Sequence, residues 1–114
     1  MQRGDIVLVD LPQTSKRGHE QTGPRPALIV HNDATSGILS VVMIVPMTSN
    51  LKSTTFPHTI LVQPTAENGL SMPSVLLVFQ LRAIDKRRIM RTLGSLEKHI
   101  MSQVNDEMKK ILGI

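Results

Sequence analysis

The feature that most constrains this chain is a change of hydrophobic period along it. As far as Val78 the apolar residues come in short runs rich in β-branched side chains: Ile6-Val7-Leu8-Val9, Ala27-Leu28-Ile29-Val30, Leu39 to Val45, Thr59-Ile60-Leu61-Val62 and Val75-Leu76-Leu77-Val78. Runs of that length, bounded by polar, Gly or Pro residues, are strands buried on one or both faces. Pro46 is expected to end the third, because proline has no N–H to give a sheet ladder. Asn32-Asp33 and Ser36-Gly37 mark turns, and Asn68-Gly69 sits in the connection between the fourth and fifth runs. The polar stretch from Gln13 to Pro24 is a loop, long for a hairpin.

Beyond Val78 the pattern shifts. Asp85 to Ile89 reads as a short helical turn and Thr92-Leu93-Gly94 as a last short strand. Leu96, Ile100, Val104, Met108, Ile111 and Leu112 then follow the three-four spacing of one helical face. Ser95 is the predicted N-cap, Glu97 falls in the first turn, and Gly113 stops the helix. Short strands followed by a terminal helix predict a mainly β fold with α additions: a compact β-barrel carrying a C-terminal amphipathic helix. With 114 residues and no repeat or linker, residues 1–114 are expected to form a single domain.

Composition narrows the chemistry. There is no cysteine, which excludes disulfides, thiolate nucleophiles and Cys-based zinc sites, and fits a reducing cytoplasm. The four histidines, His19, His31, His58 and His99, have no metal-ligand spacing, so no metal or other cofactor is expected. No phosphate-cradling glycine loop and no serine elbow is present. No signal peptide is expected, because Arg3 and Asp5 lead straight into a strand-like run, and the longest apolar stretch, Ile38 to Met47, falls short of the roughly 20 residues of a membrane span. The expectation is a cytoplasmic protein without a membrane partner. A formal net charge of +4 suits either solubility or a polyanionic partner; Lys86-Arg87-Arg88 and Arg91 contribute to it near the C-terminus.

Three clusters could carry chemistry. His19-Glu20-Gln21 through Arg25-Pro26 joins a residue that titrates near neutrality to a guanidinium whose planar fork suits phosphate. Taken alone it reads as an exposed polar hairpin loop whose Arg25 pairs with Glu20. Thr48-Ser49-Asn50, after the third run, can bind a phosphate or base edge, or simply cap backbone groups in a turn. Gln80-Leu81-Arg82 can read bases, or face solvent.

In this order and spacing the clusters resemble the MazF/PemK/Kid toxin family. The matching segments are Arg3-Gly4-Asp5-Ile6-Val7, Gly18-His19-Glu20-Gln21, Gly23-Pro24-Arg25-Pro26-Ala27, Pro46-Met47-Thr48-Ser49-Asn50, Pro73-Ser74-Val75, Gln80-Leu81-Arg82 and Ile84-Asp85-Lys86, so the likeness covers nearly the whole chain. The resemblance implies an SH3-like β-barrel of the CcdB/PemK kind, acting as a homodimer in a type II toxin–antitoxin system. It implies metal-independent cleavage of single-stranded RNA, often mRNA, at short sequences. The substrate's own 2′-hydroxyl attacks, leaving a 2′,3′-cyclic phosphate and a 5′-hydroxyl. It also implies a MazE-like antitoxin whose flexible tail crosses the RNA groove.

Carried over by motif, Arg25 and Thr48 are the leading catalytic candidates and His19 the third; Glu20, Gln21, Ser49, Asn50, Gln80 and Arg82 are the candidates for RNA binding. Kid-like members carry an acid just before the Gln of the third cluster, where this chain has Phe79. Phe56 and Phe79 are the only large aromatics, so Phe79 is expected in the core, with stacking on a base as the alternative. Two other functions fit the same barrel: a non-catalytic toxin binding a protein target such as gyrase, and a plain single-stranded RNA-binding module.

Overall fold

A computed structural model describes residues 1–11 and 23–114. Its strands are β1 (Asp5–Leu11), β2 (Gly23–Ile29), β3 (Val41–Thr48), β4 (Thr59–Val62), β5 (Ser74–Leu77), β6 (Arg82–Asp85) and β7 (Ile89–Ser95). A short helix, α1 (Asp33–Ser36), follows β2, and the terminal helix α2 (Lys98–Leu112) closes the order. The described strands form one seven-stranded sheet in the order β4-β5-β3-β2-β1-β7, with β6 added beside β3. The mainly β fold with a C-terminal helix is therefore present. The described sheet is an open barrel, since its end strands β4 and β7 do not pair.

The continuous aliphatic runs are explained by burial on both faces. Ile6, Leu28, Val45 and Met47 point to the side covered by α2. Their sequence neighbours Val7, Val9, Ala27, Ile29 and Ile44 point to the other side, where Ile84 of β6 joins them. Helix α2 docks through fully buried Val104, flanked by Ile100, Met101, Met108 and Ile111. Leu112 departs from the expected stripe and is 57% exposed at the last helical position.

Several local expectations are corrected. Pro46 does not end β3, which runs two residues further. Val30 N–H donates to Met43 C=O, so by alternation the amide of Pro46 points to the opposite edge. On that edge β3 changes partner, from β6 at residues 41–44 to β5 at Met47 and Thr48, and no rung is due at Pro46. Ser95 is not the N-cap: it belongs to β7, and its hydroxyl donates to Asp5 Oδ1 at 3.3 Å. The cap position is Glu97 itself, just before the first turn. Its carboxylate turns away from the helix and accepts from Thr65 Oγ1 (2.6 Å) and Asn68 Nδ2 (3.1 Å). Gly113 does stop the helix, in the left-handed conformation at φ 72°. Phe79 is not core: it is 40% exposed and its ring lies 5.8 Å from that of Phe56.

Asn68-Gly69 is a structural knot. Asn68 is fully buried, and its carboxamide accepts from the N–H groups of Thr65 and Leu70 and donates to Gln63 C=O. Gly69 (φ 69°) lies so close to β7 that a β-carbon there would overlap the Leu93 carbonyl. The connection between β4 and β5 is thereby pinned on β7, beside the strand ends that carry the candidate site.

Candidate nucleic-acid interface

Arg25 lies near the start of β2 and Thr48 ends β3. The two strands are antiparallel, with Ile29 opposite Ile44, Leu28 opposite Val45 and Ala27 opposite Pro46. Continuing that register by two residues sets Arg25 opposite Thr48. In a pleated pair, opposite residues project to the same face. The register thus carries residues far apart in sequence to the same end of two neighbouring strands.

The surroundings of each differ. Thr48 is buried, and its hydroxyl oxygen accepts the Asn50 N–H at 3.2 Å. Arg25 is half-buried, and its Nε is sealed from solvent with no hydrogen-bond partner among the described residues. Partial burial lowers its pKa by desolvation, yet an arginine keeps its charge. A buried N–H without an acceptor costs about 1–3 kcal/mol. Arg25 therefore holds a permanent charge and an unused donor in a partly dry position, which suits an arriving anion.

The other candidates divide. Asn50 serves the backbone: its Oδ1 accepts Lys52 N–H at 3.1 Å and caps the 3-10 turn at Leu51–Thr55. Ser49 is exposed and borders, with Arg25, a cleft of about 340 Å³. Arg82 pairs with Ile44 across β3 and so shares the face of Thr48, four residues or about 13 Å along the strand. Gln80 is exposed at the end of the 3-10 turn Val78–Gln80, and no hydrogen bond among the described residues ties it to Arg25 or Thr48. His19, Glu20 and Gln21 lie outside the described residues.

Two further histidines are structural. His31 Nδ1 accepts the Met43 N–H at 3.2 Å and Nε2 faces Thr35 Oγ1 at 3.0 Å, so His31 completes a rung beside β3. His58, at φ 59°, pairs with Glu107 of α2 at 2.7 Å. Among the described residues no group of three His, Cys, Asp or Glu side chains could hold a metal ion. No described helix is long and apolar enough to cross a membrane.

Arg91 was visible in the sequence only as part of a basic excess. It stands on β7 opposite Leu8 and lines the same cleft as Arg25 and Ser49. No periodic signal marks it, because the β1–β7 pairing shifts register between Leu8 and Val9 and sets Ile89 on the face opposite Arg91.

A family model for the PemK-like, MazF-like toxins of type II toxin–antitoxin systems matches residues 2–112. The chain belongs to this family. Among relatives of these PemK-like toxins, the endoribonuclease MazF of Staphylococcus saprophyticus is 31% identical over 114 residues, covering 100% of this chain and 92% of its own. The MazF structure from Deinococcus radiodurans superposes with a TM-score of 0.77 at 27% identity, covering 100% of this chain and 97% of that one. A MazE–MazF complex from the same organism gives 0.74 at 28% identity, covering 100% and 96%. Both superpositions span the strands that carry Arg25 and Thr48.

Proposed function

We propose that this PemK-like toxin is a metal-independent endoribonuclease that cuts single-stranded RNA at short sequences. The observation that carries the proposal is Arg25 opposite Thr48, with an unused, buried Nε donor on Arg25. In the proposed reaction the substrate's 2′-oxygen bonds to the adjacent phosphorus and the bond from phosphorus to the 5′-oxygen breaks. A base takes the 2′-hydroxyl proton and an acid protonates the leaving 5′-oxygen. The products are a 2′,3′-cyclic phosphate and a 5′-hydroxyl.

The pentavalent transition state gathers negative charge on the non-bridging oxygens. Arg25 stabilises it through charge-assisted hydrogen bonds. Thr48 supplies a hydroxyl held in place by the Asn50 N–H. His19 and Arg25 are the candidates for proton transfer, worth about 10²–10⁴-fold. Ser49, Gln80 and Arg82, with Glu20 and Gln21, contact the flanking nucleotides; Asn50 contributes by shaping the turn under Thr48.

The toxin acts as a homodimer in the cytoplasm, and a MazE-like antitoxin silences it by laying a flexible tail over the RNA groove. The test is incubation of purified protein with single-stranded RNA in excess chelator. Cleavage is expected, and Arg25→Ala and Thr48→Ala should each slow it at least a hundredfold without unfolding the protein. Undiminished cutting by both variants would overturn the site. A protein that never cuts RNA but co-purifies with gyrase would overturn the enzyme.

A further inference from the structure

Next to the Arg25–Thr48 pair, on the opposite face of the same strand ends, the sheet carries a second arrangement. In register across β7, β1, β2 and β3 stand Arg91, Leu8 and Pro26, and the β2–β3 register extends the row to Met47. These make an apolar floor closed at one end by a guanidinium. Leu70 and Met72 form one wall and Leu93 another. That wall is rigid, because Asn68 and the close approach of Gly69 to Leu93 hold the segment on β7. The cleft, about 340 Å³, sits at the small end of the ~300–1,000 Å³ typical of small-molecule sites and suits one heterocycle.

Arg91 differs from its basic neighbours. Arg87 is tied to Asp85 at 2.9 Å and Arg88 reaches the Asp10 carbonyl at 3.4 Å. Arg91 makes no ion pair or hydrogen bond among the described residues and is exposed at the rim. The cleft also reaches the strand edge beside the catalytic candidates, since Arg25 and Ser49 border it. An apolar slot with an exposed cation at its edge matches a base lying on the floor and a phosphate at the rim.

We propose that this cleft is a nucleotide subsite, in which Arg91 holds the phosphate next to the scissile one while the base packs on Leu8 and Pro26. The proposal rests on the ribonuclease reading, because it takes the ligand to be single-stranded RNA. Arg91 is a binding residue here and does not touch the reacting atoms.

The test pairs cleavage kinetics with binding of a non-cleavable 2′-O-methyl RNA across a salt titration. Arg91→Ala should raise KM about tenfold and change kcat less than twofold. Its log–log salt slope should be shallower by about 0.7, the loss of one single-strand phosphate contact. Arg91→Lys should restore the slope. Met72→Glu, which sets a carboxylate at the mouth of the cleft, should weaken binding further than Arg91→Ala.

Unchanged KM and slope in Arg91→Ala, with cleavage still abolished by Arg25→Ala, would overturn the subsite and leave the ribonuclease standing. Loss of affinity for an acidic peptide without loss of RNA affinity would overturn it too. A wild-type protein that binds the analogue with an Arg91-dependent slope yet never cuts RNA would retain the subsite and sink the enzyme. No binding of the analogue at all would sink both.

Discussion

Replacing Arg25 by Met should move stability and activity in opposite directions. The buried Nε of Arg25 has no acceptor among the described residues, and a donor without one costs about 1–3 kcal/mol. Arg25 is only half-buried, so the low end applies, and the substitution should stabilise the fold by about 1 kcal/mol. For a domain of this size that raises Tm by about 4 °C. In the transition state the same donor meets its anion, and losing a preorganised donor costs about 2.7–4 kcal/mol, a rate loss of about 10²–10³-fold. Differential scanning calorimetry and single-turnover cleavage of a fluorogenic RNA read the two effects separately. An Arg25→Met protein that melts lower and still cuts within tenfold of wild type would refute the argument, since Arg25 would then be a fold residue with its donor satisfied.

Other perturbations follow from the same geometry. Asn68→Ala strands the buried N–H of Leu70 and removes the partner of the half-buried Thr65 N–H, and should destabilise by about 2 kcal/mol, read as a lower urea midpoint at constant m-value. The hydrogen bond from His58 holds the Glu107 carboxyl below its usual range. That lowered value means the pair stabilises the fold above the ordinary glutamate pKa and ceases to as pH falls through the lowered one, so wild type should exceed Glu107→Gln in Tm near neutrality and converge with it in acid. Phe79→Ser should cost about 1 kcal/mol by chemical denaturation, the worth of a surface ring pair, and not the 3–5 kcal/mol of a core phenylalanine.

How much of this was legible depended on how a residue carries its signal. Thr59–Val62 was readable to the residue because its apolar run is bounded by Pro57-His58 and Gln63-Pro64. Strand β6 was missed because Arg82–Asp85 buries only Ile84, too little for a period to show. Strand β7 was read too short because it is a sheet edge whose Met90, Arg91 and Thr92 face solvent. Pro46 misled because its tolerance depends on which edge of β3 lacks a partner, a property of topology and not of the local sequence. Ser95 misled because a cap signal and a strand end look alike until Glu97 is seen turned towards Thr65 and Asn68.

The candidate site divides in the same way. Arg25 and Thr48 were named by motif, but their adjacency is a matter of register between strands joined by a long connection. Arg91 had no motif at all and became visible only when the sheet set it beside Leu8. Scarce aromatics predicted a buried Phe79 by composition; the chain instead fills its core with Leu, Ile, Val and Met and leaves both rings outside.

The central claim, that the Arg25–Thr48 face breaks RNA through the substrate's own 2′-hydroxyl, is tested most directly by mapping cleavage ends on a long single-stranded RNA in excess chelator. Cuts are expected at one short recurring sequence, with 2′,3′-cyclic phosphate and 5′-hydroxyl termini that vanish with Arg25→Ala. Intact RNA, or cuts bearing 5′-phosphate and 3′-hydroxyl ends, would contradict it.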